Sequence, residues 1–411
     1  MPKRSPWRAA RASAVALVVA GALLVGCTQT PDREASSTST RTFEGQPVLE
    51  PWTEAMRASD HESANVVVLG DSVSEGFGFE RNLERRWVDR LQRALRVRAG
   101  VEDCPTDPGG FHGTTSVVPA RYHAPSLPEP TTAGRTAPQP TAGPGGRALD
   151  LAPGGSVTWQ VEAESVDIGY RTRPEGGGLQ VTIDGRIPIE GVAIPTDSEA
   201  EEGERAVWSS RDLGPGPHTV RVRNISSVLT GALATVTDLT PFRGDRGRCV
   251  HVLDASRSGV TAGAITRTPT YLADSLSFDP DLLLVPLGFN DARSGTSPTA
   301  FGLVLDRLIG QVREEGYDGP VLLVGWYTPK WDSSIPEWSD YLDVMAKRTS
   351  HEQVSFLDLS AALPPVRSAP RGIYMDSLHP GAKGQPLIAA SLLEVLAPRH
   401  DVEGTKTPEE T

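Results

Sequence analysis

The sequence predicts an α/β domain, a parallel sheet sandwiched by helices, that is interrupted by an inserted all-β sandwich. Three observations carry this. The runs "NVVVLG" (65–70), "PDLLLVPLG" (280–288) and "PVLLVGWYTP" (320–329) are apolar without alternation, as strands covered on both faces are. Segments of helical period follow them, and alternating strands and helices build parallel sheets. Between residues 105 and 248 the texture changes to short strand-like runs divided by Gly- and Pro-rich turns, and the first texture returns at Cys249.

Taken in order, residues 1–27 read as a targeting segment. Lys3, Arg4, Arg8 and Arg11 give a basic start, and the apolar run 12–25 is short for a membrane span. The segment closes on "LVGC" (24–27), which resembles the bacterial lipobox. That resemblance implies cleavage after Gly26, lipid on Cys27, and an extracytoplasmic protein held at the bacterial cell membrane by its anchor. The other reading is a plain secretory peptide with an incidental cysteine. Residues 28–62, rich in Ser, Thr and Pro, read as a flexible tether.

The α/β domain is expected at 63–104 and 249–398. After the first strand, "NLERRWVDRLQRALRVR" (82–98) places Leu83, Trp87, Val88, Leu91 and Leu95 on one helical stripe. Within the insert, 105 to about 150 is Pro-, Gly- and Thr-rich. The runs "SVTWQVE", "SVDIGYRT", "GLQVTID", "RAVWSSRDL", "HTVRVRN" and "LATVTDL" follow, separated by turns such as "PEGGG" and "GPGPH". Beyond Cys249 come the strand "CVHVLDA", a helix over "TAGAITRTPTYLADSL", the strand at 280–288 and a helix around "TAFGLVLDRLIGQVREEG". The strand at 320–329, a helix over "EWSDYLDVMAKRTS", the strand "VSFLDLS" and a closing helix "PLIAASLLEVLAP" complete the domain. Residues 399–411 read as a disordered tail.

Charge and cysteines narrow the setting. The formal charge is −12, and removal of residues 1–26 takes away four positive charges and no acids, leaving −16. Nucleic-acid binding rests on basic surface, so it is not expected. Of the three cysteines, Cys104 and Cys249 flank the insertion, in a compartment that permits disulfides. A bond across the neck of the insert is expected; two unrelated buried thiols are the alternative.

Why a core strand should end on Gly70-Asp71-Ser72 has a plain answer, since Ser and Asp cap helices. Three further loops after predicted strands change it: "DASRSGVTAG" with Gly259, "LGFND" with Asn290, and "YMDSLHP" with Asp376 and His379. Ligand sites gather at the carboxyl ends of parallel strands. In this order the four blocks resemble those of the SGNH hydrolases, also called the GDSL esterase family, over residues 63–104 and 249–398. The resemblance implies a flavodoxin-like three-layer α/β/α domain and a serine esterase. It makes Ser72 the nucleophile, His379 the general base and Asp376 its orienting partner. The N–H groups of Ser72 and Gly259 and the Asn290 amide would form the oxyanion hole. Asp71 and Asp291 read as structural acids that tie loops through backbone N–H groups.

No G-x-S-x-G, HExxH, CxxC or P-loop motif occurs, and neither a metal nor an organic cofactor is expected. Of the eight histidines, His112 in "GGFHG" is the other one of interest. A sandwich attached to such an esterase resembles a carbohydrate-binding module. Trp159, Tyr170 and Trp208 then stack on sugar rings or, as aromatics in strands do, fill the core. A structural lid or spacer is the alternative for the insert. The expected activity is hydrolysis of small acyl esters, acetyl first, on a cell-envelope or environmental glycan. Lipase, thioesterase or acyltransferase chemistry on the same triad is a second reading. A non-catalytic glycan-binding lipoprotein is a third, against which the intact Ser72, Asp376, His379 and Asn290 argue.

Overall fold

The structure, a computed structural model, describes residues 47–78, 85–106, 115–116, 130–199, 203–331 and 333–398. Five strands form a parallel sheet in the order Val250–Asp254, Ala64–Val68, Leu282–Val285, Val321–Gly325, Val354–Asp358. Every residue of Val250–Asp254, Leu282–Val285 and Val321–Gly325 is buried, which is why these runs show no alternation. Numbered along the chain, the order is 2-1-3-4-5, the flavodoxin-like arrangement. Trp87–Ala99 packs against Gly384–Leu396, while Pro298–Glu314 packs against Ala262–Thr266 and Trp338–Ala346. Right-handed crossovers put the two helix groups on opposite faces, because the strand order reverses at Ala64–Val68. The reversal opens a crevice at the carboxyl ends of Ala64–Val68 and Leu282–Val285.

The tether expected over 28–62 ends sooner. Pro47–Leu49 and Glu50–Arg57 are helical, Trp52 is fully buried, and its indole N–H donates to Leu396 O at 2.9 Å. Leu49, Trp52 and Met56 fall on one helical face, a stripe too short to stand out in a Ser- and Pro-rich stretch. The helix expected over 261–276 is two, Ala262–Thr266 and Pro269–Leu276, because Pro269 lacks the N–H to continue a turn and instead opens the second. Trp87 begins the helix expected from residue 82, and residues 82–84 lie outside the described residues. So do the targeting segment with Cys27, tether residues 28–46, His112 and the tail 399–411.

The insert forms two antiparallel sheets. One runs Arg205–Ser209, Ser165–Arg171, Ala234–Phe242, Ala148–Leu151, Thr136–Gln139, with Thr115–Ser116 also on Ala234–Phe242; the other runs Thr131–Ala133, Ser156–Ala163, Gly216–Asn224, Gly178–Ile183, Ile194–Pro195. Val157, Trp159, Ile168, Val181, Trp208, Val222 and Leu239 fill the space between them. Trp159 and Trp208 are therefore core residues and present no face to a sugar, and Tyr170 packs half-buried against the same core. Thr131–Ala133, Thr136–Gln139 and Ala148–Leu151 arise where only loop was expected. Two of them are edge strands, where Pro138 is tolerated.

Cys104 and Cys249 are disulfide-bonded, with Cα atoms 5.7 Å apart. Polar contacts also lock the insert to the α/β domain. Asp274 on Pro269–Leu276 holds the Arg171 guanidinium at 2.6 Å and the Gly143 N–H at 2.6 Å. Arg205, paired with Asp238 at 2.7 Å, donates to Ser277 Oγ and covers the Phe278 ring.

Candidate active site

The strand Ala64–Val68 runs into Gly70, where a Cβ would stand 2.3 Å from Ser74 Oγ and 2.6 Å from Ser256 Oγ, so only glycine fits. Asp71 caps the four-residue helix Ser72–Glu75: its Oδ1 accepts the Val73 N–H at 2.9 Å. Its Oδ2 accepts the Trp326 indole N–H at 3.2 Å. Burial pushes the Asp71 carboxyl up to about 7, although both donors pull it down. Ser72 is thus the first residue of a turn whose orientation Asp71 fixes, so the capping role falls to Asp71 and not to Ser72.

Ser72 Oγ lies 2.9 Å from His379 Nε2, and His379 Nδ1 lies 2.7 Å from Asp376 Oδ2. Asp376 Oδ1 also accepts the backbone N–H groups of Leu378 and His379, at 2.7 and 2.6 Å. Partial burial raises the Asp376 carboxyl, but the imidazole and the two N–H donors outweigh it and hold it at about 2. The carboxylate therefore stays charged and faces the imidazole. The Phe77 ring stacks on the other side of that imidazole, with centroids 4.3 Å apart. Tyr327 OH donates to Leu378 O at 2.6 Å, and the Lys330 N–H donates to Ser377 O at 2.9 Å. These bonds pin the 376–379 loop to the end of Val321–Gly325.

Asn290 Nδ2 donates one hydrogen to Val260 O at 2.9 Å, which fixes the amide and leaves its second N–H available. Gly259, one residue earlier, has φ +80° and is exposed; the absence of a Cβ suits both its backbone and an approaching substrate. Its loop is tied to the serine loop, since Arg257 N–H donates to Gly70 O at 3.0 Å and Gly70 N–H to Ser256 Oγ at 3.0 Å. The backbone N–H groups of Ser72 and Gly259 donate to no acceptor among the described residues. Asp291 accepts Ala262 N–H at 3.0 Å and Gly263 N–H at 3.4 Å, and burial pushes its carboxyl up to about 6. Asp71 and Asp291 both serve as loop ties.

Other supports carry no signal in the local sequence. Glu75 Oε2 accepts the Ser258 N–H at 2.5 Å and the Ser258 hydroxyl, and its other oxygen pairs with Arg147 from the insert. Arg86 bridges Asp89 and Asp254 at 2.8 and 2.7 Å, fully buried, and Asp254 accepts the Ser256 N–H. Only a residue type marks Phe77, an aromatic between two glycines. Beside the 376–379 loop lies a cavity of about 260 Å³ lined by Arg293, Lys330, Trp331, Ile335, Ser377 and Leu378.

An alcohol, an imidazole and a carboxylate in line, next to free amide donors, can transfer an acyl group through a tetrahedral intermediate. The sequence model of the GDSL-like Lipase/Acylhydrolase family matches residues 231–387. An arylesterase of Vibrio mimicus is 29% identical over 153 residues, 37% of this chain and 72% of that protein. The second half of this chain thus matches the GDSL-like acylhydrolases, and the chain is a carboxylic ester hydrolase. The family match takes in Gly259, Asn290, Asp376 and His379, while Ser72 falls outside it because the insert separates the serine from the rest. A solved structure described as "Peptidoglycan O-acetylesterase in action, 5 min" superposes with a TM-score of 0.60 at 15% identity. It covers 86% of this esterase and 97% of its own chain, so the fold is shared well beyond the family match.

Proposed function

We propose that this esterase removes short acyl groups, acetyl first, from polysaccharide outside the cytoplasm. The observation that carries the proposal is the 2.9 Å and 2.7 Å relay from Ser72 through His379 to Asp376. Ser72 Oγ attacks the acyl carbon while His379 Nε2 takes its proton. The tetrahedral oxyanion is held by the N–H groups of Ser72 and Gly259 and by the free N–H of Asn290. Collapse expels the sugar alkoxide, which takes the proton from His379. Water then attacks the acyl-serine by the same route and releases the carboxylic acid and free serine. Asp376, charged throughout, keeps Nδ1 protonated and stabilises the imidazolium.

Ser72 and His379 retain only 6% and 9% of their exposure, which favours a short acyl group over a long chain. The likeness of fold to a protein described as a peptidoglycan O-acetylesterase supports a glycan-borne ester. The disulfide supports an oxidising compartment, in keeping with the lipobox-like "LVGC" and an anchor on Cys27. Membrane fractionation of wild type against Cys27→Ala tests the anchor: equal release into the soluble fraction would reject it.

The decisive assay sets p-nitrophenyl acetate, butyrate and a long-chain ester beside acetylated polysaccharides, with wild type and Ser72→Ala. Loss of the serine should cost on the order of 10⁴–10⁶-fold. Preference for the long chain, or no acetate release from any polysaccharide, would overturn the proposal.

A further inference from the structure

The cavity beside the catalytic loop has a chemistry that hydrolysis of a neutral ester does not call for. Two of its lining residues are cations, Arg293 and Lys330, and none of the described lining residues is acidic. The side chains of both are exposed, and neither makes an ion pair or side-chain hydrogen bond with a described residue. Arg367 adds a third guanidinium nearby, donating to Trp331 O at 3.1 Å. In a chain of formal charge −12 this grouping is local and opposite in sign to the whole.

Its position relates it to the reaction. Ser377 and Leu378, on one wall, lie between Asp376 and His379 in the chain. Arg293 ends the helix Phe289–Arg293 that carries Asn290. The cavity is thus walled by the loop that carries His379, the group that would return a proton to the leaving alcohol. At about 260 Å³ it is smaller than drug-sized pockets, roughly 300–1,000 Å³, and suits one compact ring. Trp331 offers an aromatic wall on which such a ring can pack.

Resting on the polysaccharide reading above, we propose that this cavity is the subsite for a carboxylated sugar unit of the alcohol-side polymer. Arg293 takes the carboxylate through its planar fork, Lys330 adds a point charge, and Trp331 packs against the ring. Arg293 and Lys330 are then specificity residues for acidic over neutral glycans.

A matched pair of polymers tests this: O-acetylated polygalacturonate and the same polymer with its carboxylates methyl-esterified. Acetate release gives kcat/KM for each. Wild type should favour the acidic polymer by about tenfold or more, mainly through KM, and the preference should shrink as salt rises from about 0.05 to 0.5 M. In Arg293→Gln/Lys330→Gln the ratio should fall to near one. Equal rates on both polymers, or a double variant that keeps the wild-type ratio, would overturn the subsite and leave the polysaccharide reading standing. Turnover of p-nitrophenyl acetate with no acetate from either polymer would overturn that reading, and the subsite with it.

Discussion

Arg147 offers the sharpest test of how the insert bears on catalysis. It leaves the insert, enters the α/β domain and pairs with Glu75, the two side chains being 2% and 1% exposed. The same Glu75 carboxylate holds both the N–H and the hydroxyl of Ser258, the residue before Gly259. Arg147→Met keeps most of the side-chain volume and removes the cation from beside a buried carboxylate. Breaking a buried pair in this way costs about 3–5 kcal/mol. Urea unfolding should show that loss. The loosened Ser258 should also displace the Gly259 N–H, and misplacement by about an ångström costs roughly a hundredfold in rate. We therefore predict a ten- to hundredfold fall in kcat/KM for p-nitrophenyl acetate. Adding Glu75→Gln should recover part of the stability, with a coupling of about 1–3 kcal/mol in the double-mutant cycle. A single-variant loss below about 1 kcal/mol, or strict additivity, would refute the ion-pair argument. A large loss of stability with unchanged kcat/KM would refute the link to Gly259.

Asn290→Ala should lower kcat about 100- to 1,000-fold with little change in the urea midpoint, and a loss under about threefold would remove the amide from the oxyanion hole. Cys104→Ser should cost up to about 5 kcal/mol, the loop-entropy value for a cross-link spanning 145 residues; an unchanged midpoint would mean that Asp274 and its partners already confine the loop. Because burial raises the Asp71 carboxyl from 3.8 to about 7, its protonated form contributes stability in full below 3.8 and loses it as pH rises through about 7. Between about pH 4 and 8 wild type should thus lose stability relative to Asp71→Asn, and parallel pH profiles would contradict the assignment.

The parallel sheet was legible because strands buried on both faces are apolar at every position, as 282–285 and 321–325 are. The site was legible for a different reason. Ser72, Asn290, Asp376 and His379 each follow a recognisable strand, and strand ends in a parallel sheet share one rim. What stayed hidden depends on pairing across distance. Glu50–Arg57 makes few turns, and the partner of Trp52 lies 344 residues away at Leu396. Nothing near residue 147 announces a buried partner at residue 75. The strands at 131–151 carry too little apolar pattern to be told from loop until their neighbours Ser156–Ala163 and Ala234–Phe242 are in place. The same limit explains the insert aromatics: strand periodicity placed Trp159 and Trp208 on a face, and only the second sheet decides that the face is inside.

Splitting the α/β domain around the insert has a consequence for biosynthesis. The hydroxyl at 72 emerges from the ribosome first, the amide at 290 more than two hundred residues later, and the imidazole at 379 more than three hundred residues later. On the proposed mechanism, a chain that stops short of residue 379 therefore carries a serine with no base to activate it. The imidazole reaches that serine only once Val354–Asp358 and Gly384–Leu396, the elements on either side of its loop, have docked.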